Sequence, residues 1–210
     1  MKSHSIRSGS AEPFPGSKTT AIFTQDSCTS CGRWRTAWLV QALALIVMAG
    51  SAMADSYGRL ELKTEAFPQG GTIPKHYTCE GADASPALSW SQPPASTRSF
   101  VLMVDDPDTP AGDWVHWVAY NLPASARHLP ESVPPGQTIA SGGEQGLNDF
   151  PSMGYRGPCP PPGRPHRYFF RLYALDTVLN LHGPARRKNV DSVMKGHVLA
   201  KAELMGTFGR

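Results

Sequence analysis

Past residue 54 the sequence lacks any surplus of charge. The whole chain carries 20 Lys and Arg against 17 Asp and Glu. Five of the bases (Lys2, Arg7, Lys18, Arg33, Arg35) and two of the acids (Glu12, Asp26) fall in residues 1–54, which leaves fifteen of each sign beyond them. A neutral domain without a Lys/Arg stripe lacks the electrostatic footprint that nucleic-acid binding needs, so that partner class is excluded. Internal repeats and low-complexity runs are also missing, and one compact domain is the expected organisation of the remainder. No HExxH stands in the chain to mark a zinc hydrolase, and no serine sits in a G-x-S-x-G elbow.

The longest apolar run, Thr36 to Gly50 (TAWLVQALALIVMAG), contains Gln41 and falls short of the ~20 residues that span a bilayer. Arg33 and Arg35 precede it and Ser51-Ala52-Met53-Ala54-Asp55 follows. Basic n-region, apolar h-region and A-x-A site together read as a signal peptide cleaved after Ala54. The expectation is a leader over residues 1–54 and a single domain over 55–210, periplasmic or secreted, with no stable membrane insertion after cleavage. Residues 1–32 are polar and without periodicity, either an over-called start or an extension. Cys28 and Cys31 form a CxxC without a second pair, a weak zinc or redox signal that leaves with the leader. Cys79 and Cys159 belong to the domain. Export makes them a candidate disulfide worth about 3–4 kcal/mol in the chain-entropy account, against the alternative of two buried thiols.

The strong periodic segments in the domain are strands. Leu60 and Leu62 alternate with Glu61 and Lys63 at the start of Arg59–Phe67. Leu88–Trp90 is a short strand inside a loop. Ser99–Val104 (SFVLMV) is too short for a helix and reads as a central strand buried on both faces. Val115–Leu122 and Tyr168–Leu175 are aromatic-rich strands, and the long Gly/Pro-punctuated stretch Pro130–Gly163 reads as a functional loop. Asp191–Leu204 is predicted as the one helix, N-capped by Asp191 and ended by Gly206. Strands followed by a final helix imply an all-β antiparallel sheet or sandwich with a small helical cover.

Polar groups concentrate in two segments, Asp105–Pro110 with Trp114 and His116, and Gly154–Tyr168. The order DPD-x-P (106–110), W-x-HW (114–117), GPCPP-x-G-x-x-HRY (157–168) and F-x-LYALD (170–176) resembles the double signature of the phosphatidylethanolamine-binding, Raf-kinase-inhibitor-like family in its bacterial YbhB/YbcL-like branch. Tyr77–Gly81, Ser85–Trp90 and Gly196–Ala200 extend the resemblance over nearly all of residues 57–210. It implies a large antiparallel sheet packed on a smaller one, with an exposed pocket at the sheet's end that takes phosphate-like anions. Carried over residue by residue, that pocket holds Asp106, Asp108, Trp114, His116, His166 and Tyr168, with Gly157, Pro158 and Pro160 shaping a wall. No catalytic residue, metal or cofactor is implied.

Two imidazoles and a phenol can donate to phosphate oxygens, most strongly from imidazolium. Carboxylates repel an anion, so Asp106 and Asp108 are expected to orient the imidazoles, raise their pKa, or hold the ammonium of a zwitterionic ligand. Asp105 reads as structural, and His76, His128, His182 and His197 as surface or capping residues. Two rival functions stand beside this one. Asp106, Asp108, His116 and His166 would be the ligands of a metal-dependent hydrolase. Alternatively the domain acts on a protein partner, as an inhibitor of protease or kinase type, and aromatic residues on one sheet face would support a homodimer.

Overall fold

The computed structural model describes residues 58–210. The expected leader and its cleavage site, with Cys28 and Cys31, lie outside the described residues. In chain order the elements are β1 (Gly58–Arg59), β2 (Leu62–Lys63), β3 (Leu88–Trp90), β4 (Ser99–Asp106), β5 (Trp114–Pro123), β6 (His128–Leu129), β7 (Glu144–Gln145), β8 (His166–Leu175), α1 (Arg187–Met194) and β9 (Val198–Phe208), with a 3-10 turn at Lys75–Tyr77. A six-stranded sheet runs β1-β9-β8-β4-β5-β7 and a three-stranded sheet β2-β3-β6. All neighbours are antiparallel except β1 and β9.

The continuous apolar run of β4 follows from its position, since every one of its residues is buried. Its side chains alternate between two cores. Phe100, Leu102 and Val104 meet Leu62, Leu88, Trp90 and Leu129 from the small sheet, so this core lies between the sheets. Val101 and Met103 meet Val190 and Met194 of α1, so the second core lies between the large sheet and the helix. Sandwich and helical cover are thus written into the same five residues, Phe100–Val104. Truncating any fully buried side chain here, such as Phe100 or Leu102, costs roughly 2–5 kcal/mol.

The helix is correct in kind but misplaced in the sequence reading. It spans Arg187–Met194, Gly196 follows at φ +86°, and Val198–Phe208 is a strand rather than a helix. Ala200, Ala202, Leu204 and Phe208 are buried while Lys201 and Glu203 are exposed, a period of two. Ala, Lys, Glu and Leu favour helices locally, but the ladder to β8, continuous from His166↔Phe208 to Ala174↔Ala200, overrides that preference. Arg59–Phe67 also resolves differently, into β1 in the large sheet and β2 in the small one, with Leu60 and Leu62 buried as their alternation predicts.

The long loop before β8 is ordered by two buried amides. Gln145 accepts from Trp117 Nε1 at 2.8 Å and donates to the carbonyls of Pro134 and Gly136 at 2.8 and 2.9 Å. Asn148 donates to Gly154 O at 2.9 Å and accepts from the backbone of Phe150 and Ser152 at 3.0 and 3.1 Å. Among the described residues no helix is long and apolar enough to cross a membrane.

Candidate functional site

Antiparallel pairing brings the C-terminal end of β4 beside the N-terminal ends of β5 and β8. The two polar segments of the sequence therefore meet at one end of the large sheet. Register also does local work. Val104 faces Trp117 and Asp105 faces Val115, so His116 is an extra residue on β5, a bulge that aims its ring out of the ladder.

A cavity of about 350 Å³ opens there. Asp106, Trp114, His116, Pro160, His166 and Tyr168 line it, as the sequence predicts. Asp108, Gly157 and Pro158 do not. Asp108 turns away to Arg167, accepting from its backbone N at 2.9 Å, Nε at 2.9 Å and Nη2 at 2.7 Å. That guanidinium holds the Asp108 carboxyl at about 2. Gly157 is the seat of the wall rather than part of it: its N–H donates to Asp83 Oδ1 at 2.6 Å, and a Cβ there would stand 2.3 Å from Tyr77 O.

The two carboxylates of the DPD motif thus have separate duties. Asp106, 2% exposed, accepts from His166 Nδ1 at 2.7 Å and from Asp108 N at 2.8 Å. His116 donates through Nδ1 to Arg156 O at 2.6 Å. With both Nδ1 atoms committed, Nε2 of each ring is the nitrogen left to serve a ligand. Burial pushes the His116 pKa down, although Arg156 O and the Asp106 charge oppose it. The expectation that carboxylates raise the imidazoles therefore fails for His116, because desolvation of a buried ring outweighs a carboxylate that does not touch it.

Tyr168 lies edge-on to His116 with ring centroids 5.2 Å apart. Its hydroxyl is buried and makes no well-formed hydrogen bond, although the Asp106 carboxylate stands close enough to act on it. Burial, and next the Asp106 charge, push the phenol far above its ordinary range, so it stays a donor at any physiological pH. Trp114 and His116 both pack edge-on against Phe150, at 5.6 and 5.2 Å. Phe150, Thr109, Pro110, Ala111, Cys159 and Pro161 complete the lining and were missed in the sequence. For Phe150 the only signal was an aromatic residue inside a polar loop. Cys79 and Cys159 are joined as a disulfide.

The four residues that would make a metal centre do not converge, since Asp108 serves Arg167. Among the described residues no three His, Cys, Asp or Glu side chains gather as they would around a metal. Asp105 is buried on the opposite face of β4, paired with Arg171 and, at 3.6 Å, with Arg187. His76 and His197 make exposed contacts to Glu131 and Asp176 at 3.1 and 2.8 Å.

A two-sheet sandwich that ends in a small, largely apolar cavity with a few fixed polar groups has the build of a binding protein. The phosphatidylethanolamine-binding protein family profile matches residues 63–209, and the chain belongs to that family. A UPF0098 protein of Methanothermobacter thermautotrophicus is 50% identical over 72% of this chain and 99% of its own length. One from Aquifex aeolicus is 46% identical over 77% of this chain and 92% of its own. Among solved structures, the putative phosphatidylethanolamine-binding protein homolog CT736 of Chlamydia trachomatis superposes with a TM-score of 0.66 at 41% identity, covering 72% of this chain and 97% of that one. YbcL of E. coli, described as a member of the mammalian PEBP family, gives 0.67 at 30% identity, covering 73% and 99%.

Proposed function

We propose that the cavity binds a small phosphorylated or zwitterionic molecule without chemically transforming it. The observation that carries this reading is the pair of buried imidazoles, His116 and His166, which border the cavity with their Nδ1 atoms committed to Arg156 O and Asp106. Phosphate supplies acceptor oxygens to Tyr168 and, when protonated, to His116 and His166. An ammonium group would be served at the same site by the Trp114 and Phe150 rings and by the Asp106 charge. The family's description names phosphatidylethanolamine, whose headgroup combines those two charges.

The same geometry supports a non-catalytic reading. Asp106 and His166 form an oriented pair, but no serine, threonine or cysteine hydroxyl or thiol is hydrogen-bonded to either imidazole. The leader and the disulfide support a site of action outside the cytoplasm.

Calorimetric titration with phosphoethanolamine, inorganic phosphate and ethanolamine, on the parent and on a His116→Ala, His166→Ala double variant, tests the reading. Phosphoethanolamine is expected to bind the parent and to lose at least about tenfold in affinity in the variant, equivalent to about 1.4 kcal/mol. A parent that binds none of the three contradicts it.

A further inference from the structure

We propose that the Cys79–Cys159 bond is a thiol-exchange site built into the cavity wall, whose co-substrate is a dithiol reductant and whose state sets how firmly the cavity holds its ligand. The consequence for ligand rests on the proposed function; the exchange chemistry does not.

Access is the first requirement for exchange, because a thiolate must reach a sulfur along the bond axis. Both cysteines are exposed. Position is the second. Cys159 lines the cavity in the segment Pro158-Cys159-Pro160-Pro161-Pro162. Four of these five residues have no backbone N–H, so Cys159 carries the segment's one backbone donor. The wall is tied by what it accepts: Cys79 N donates to Pro158 O at 3.1 Å and Arg210 Nε to Pro160 O at 2.6 Å. The disulfide is the covalent tie, between residues 80 apart in sequence.

Its two ends differ in firmness. Cys79 follows the 3-10 turn Lys75–Tyr77 and the buried Thr78, which donates to Lys75 O through both N, at 3.0 Å, and Oγ1, at 2.9 Å. Tyr155 Oη donates to Tyr77 O at 2.8 Å and braces the same turn. The Cys79 side is therefore the anchor, and the proline wall is the part that yields when the bond opens.

The step balances simply. A thiolate of the dithiol attacks one sulfur and forms a mixed disulfide, releasing the other cysteine as thiolate. The second thiol of the reductant then displaces the first protein sulfur. Two protein thiols and one oxidised dithiol result, with two electrons passed to the protein. Cys159 is left as a thiol on the cavity lining, and the wall keeps only its hydrogen bonds, Cys79 N to Pro158 O, Arg210 Nε to Pro160 O and Gly163 N to Arg210 O.

Full-length protein would be treated with dithiothreitol without denaturant, and followed by iodoacetamide labelling, hydrogen exchange and phosphoethanolamine titration. The expected result is labelling at Cys79 and Cys159, read apart from Cys28 and Cys31 by peptide mapping, and faster exchange at Cys159 and Gly163, while β4 and β8 stay protected. Affinity should fall about tenfold and return on reoxidation with oxidised glutathione. A Cys79→Ser, Cys159→Ser double variant should reproduce the reduced pattern. The proposal is overturned if the bond resists the dithiol in the folded state, if exchange at 156–163 is unchanged, or if β4 and β8 lose protection together with the wall. If phosphoethanolamine binds neither form, the ligand reading fails on its own, and labelling and exchange still decide the thiol site.

Discussion

Asp106 holds His166 in one tautomer: its Oδ2 accepts from Nδ1 at 2.7 Å, with both side chains buried. The ring is thereby fixed with Nε2 as the nitrogen available to a ligand, before any ligand arrives. Preorganisation of this kind avoids the ordering cost of binding. The second carboxylate of the motif, Asp108, contributes by a different route, pinning Arg167 and so the first residues of β8.

Replacing Asp106 by Asn should release that tautomer. The Nδ1–H resonance of His166, slow to exchange in the parent, is expected to broaden or vanish in nitrogen-15 NMR. Stability should fall by about 1–3 kcal/mol, the range for disrupting a buried hydrogen bond to a charged group. An unchanged His166 spectrum would show that the ring is held by packing alone.

Asp108→Asn predicts an acid-dependent defect. The folded carboxyl sits at about 2 against an ordinary 3.8, so its contribution is fully present above 3.8 and is lost as pH falls from there toward 2. The Arg167 side chain is half exposed, which limits the contribution to about 1–2 kcal/mol. Urea unfolding should show the parent more stable than the variant near neutrality, with the gap closing toward pH 2. A gap independent of pH would assign the loss to packing instead.

His116 shifts in the same direction, from a different cause. Its folded pKa is lowered below 6.5 by burial, so the unfolded chain binds the proton first. Stability from this residue is therefore complete above 6.5 and declines as pH falls through the window beneath it. Bound phosphate reverses the preference by pairing with the imidazolium, so binding takes up a proton and affinity falls as pH rises. Calorimetry in two buffers of different ionisation enthalpy reads the uptake directly. Equal heats in both buffers and a flat affinity profile would remove His116 from ligand charge balance.

Much of the fold could be read from the residues, and the failures have physical causes. The β4 run was unambiguous because five consecutive apolar residues, Phe100–Val104, cannot form an amphipathic helix face. β9 was misread because Ala200, Lys201, Ala202, Glu203 and Leu204 carry helical propensity, and only the non-local ladder to β8 makes them a strand. At the site, the motif order brought Asp106, His116, His166 and Tyr168 together correctly. It could not show that Asp108 points to Arg167, because Asp108 lies past the end of β4, in a turn whose direction the motif does not fix. Nor could it show Phe150, whose place depends on the buried Asn148 turn.

Tyr168→Phe tests the central claim most directly, since it removes one oxygen and leaves the ring. Measured together, thermal unfolding and phosphoethanolamine titration should diverge: unliganded stability changed by less than about 1 kcal/mol, because the hydroxyl makes no well-formed hydrogen bond in the fold, and affinity reduced about tenfold, because a donor to the ligand is lost. Parent and variant binding phosphoethanolamine equally well would contradict the account.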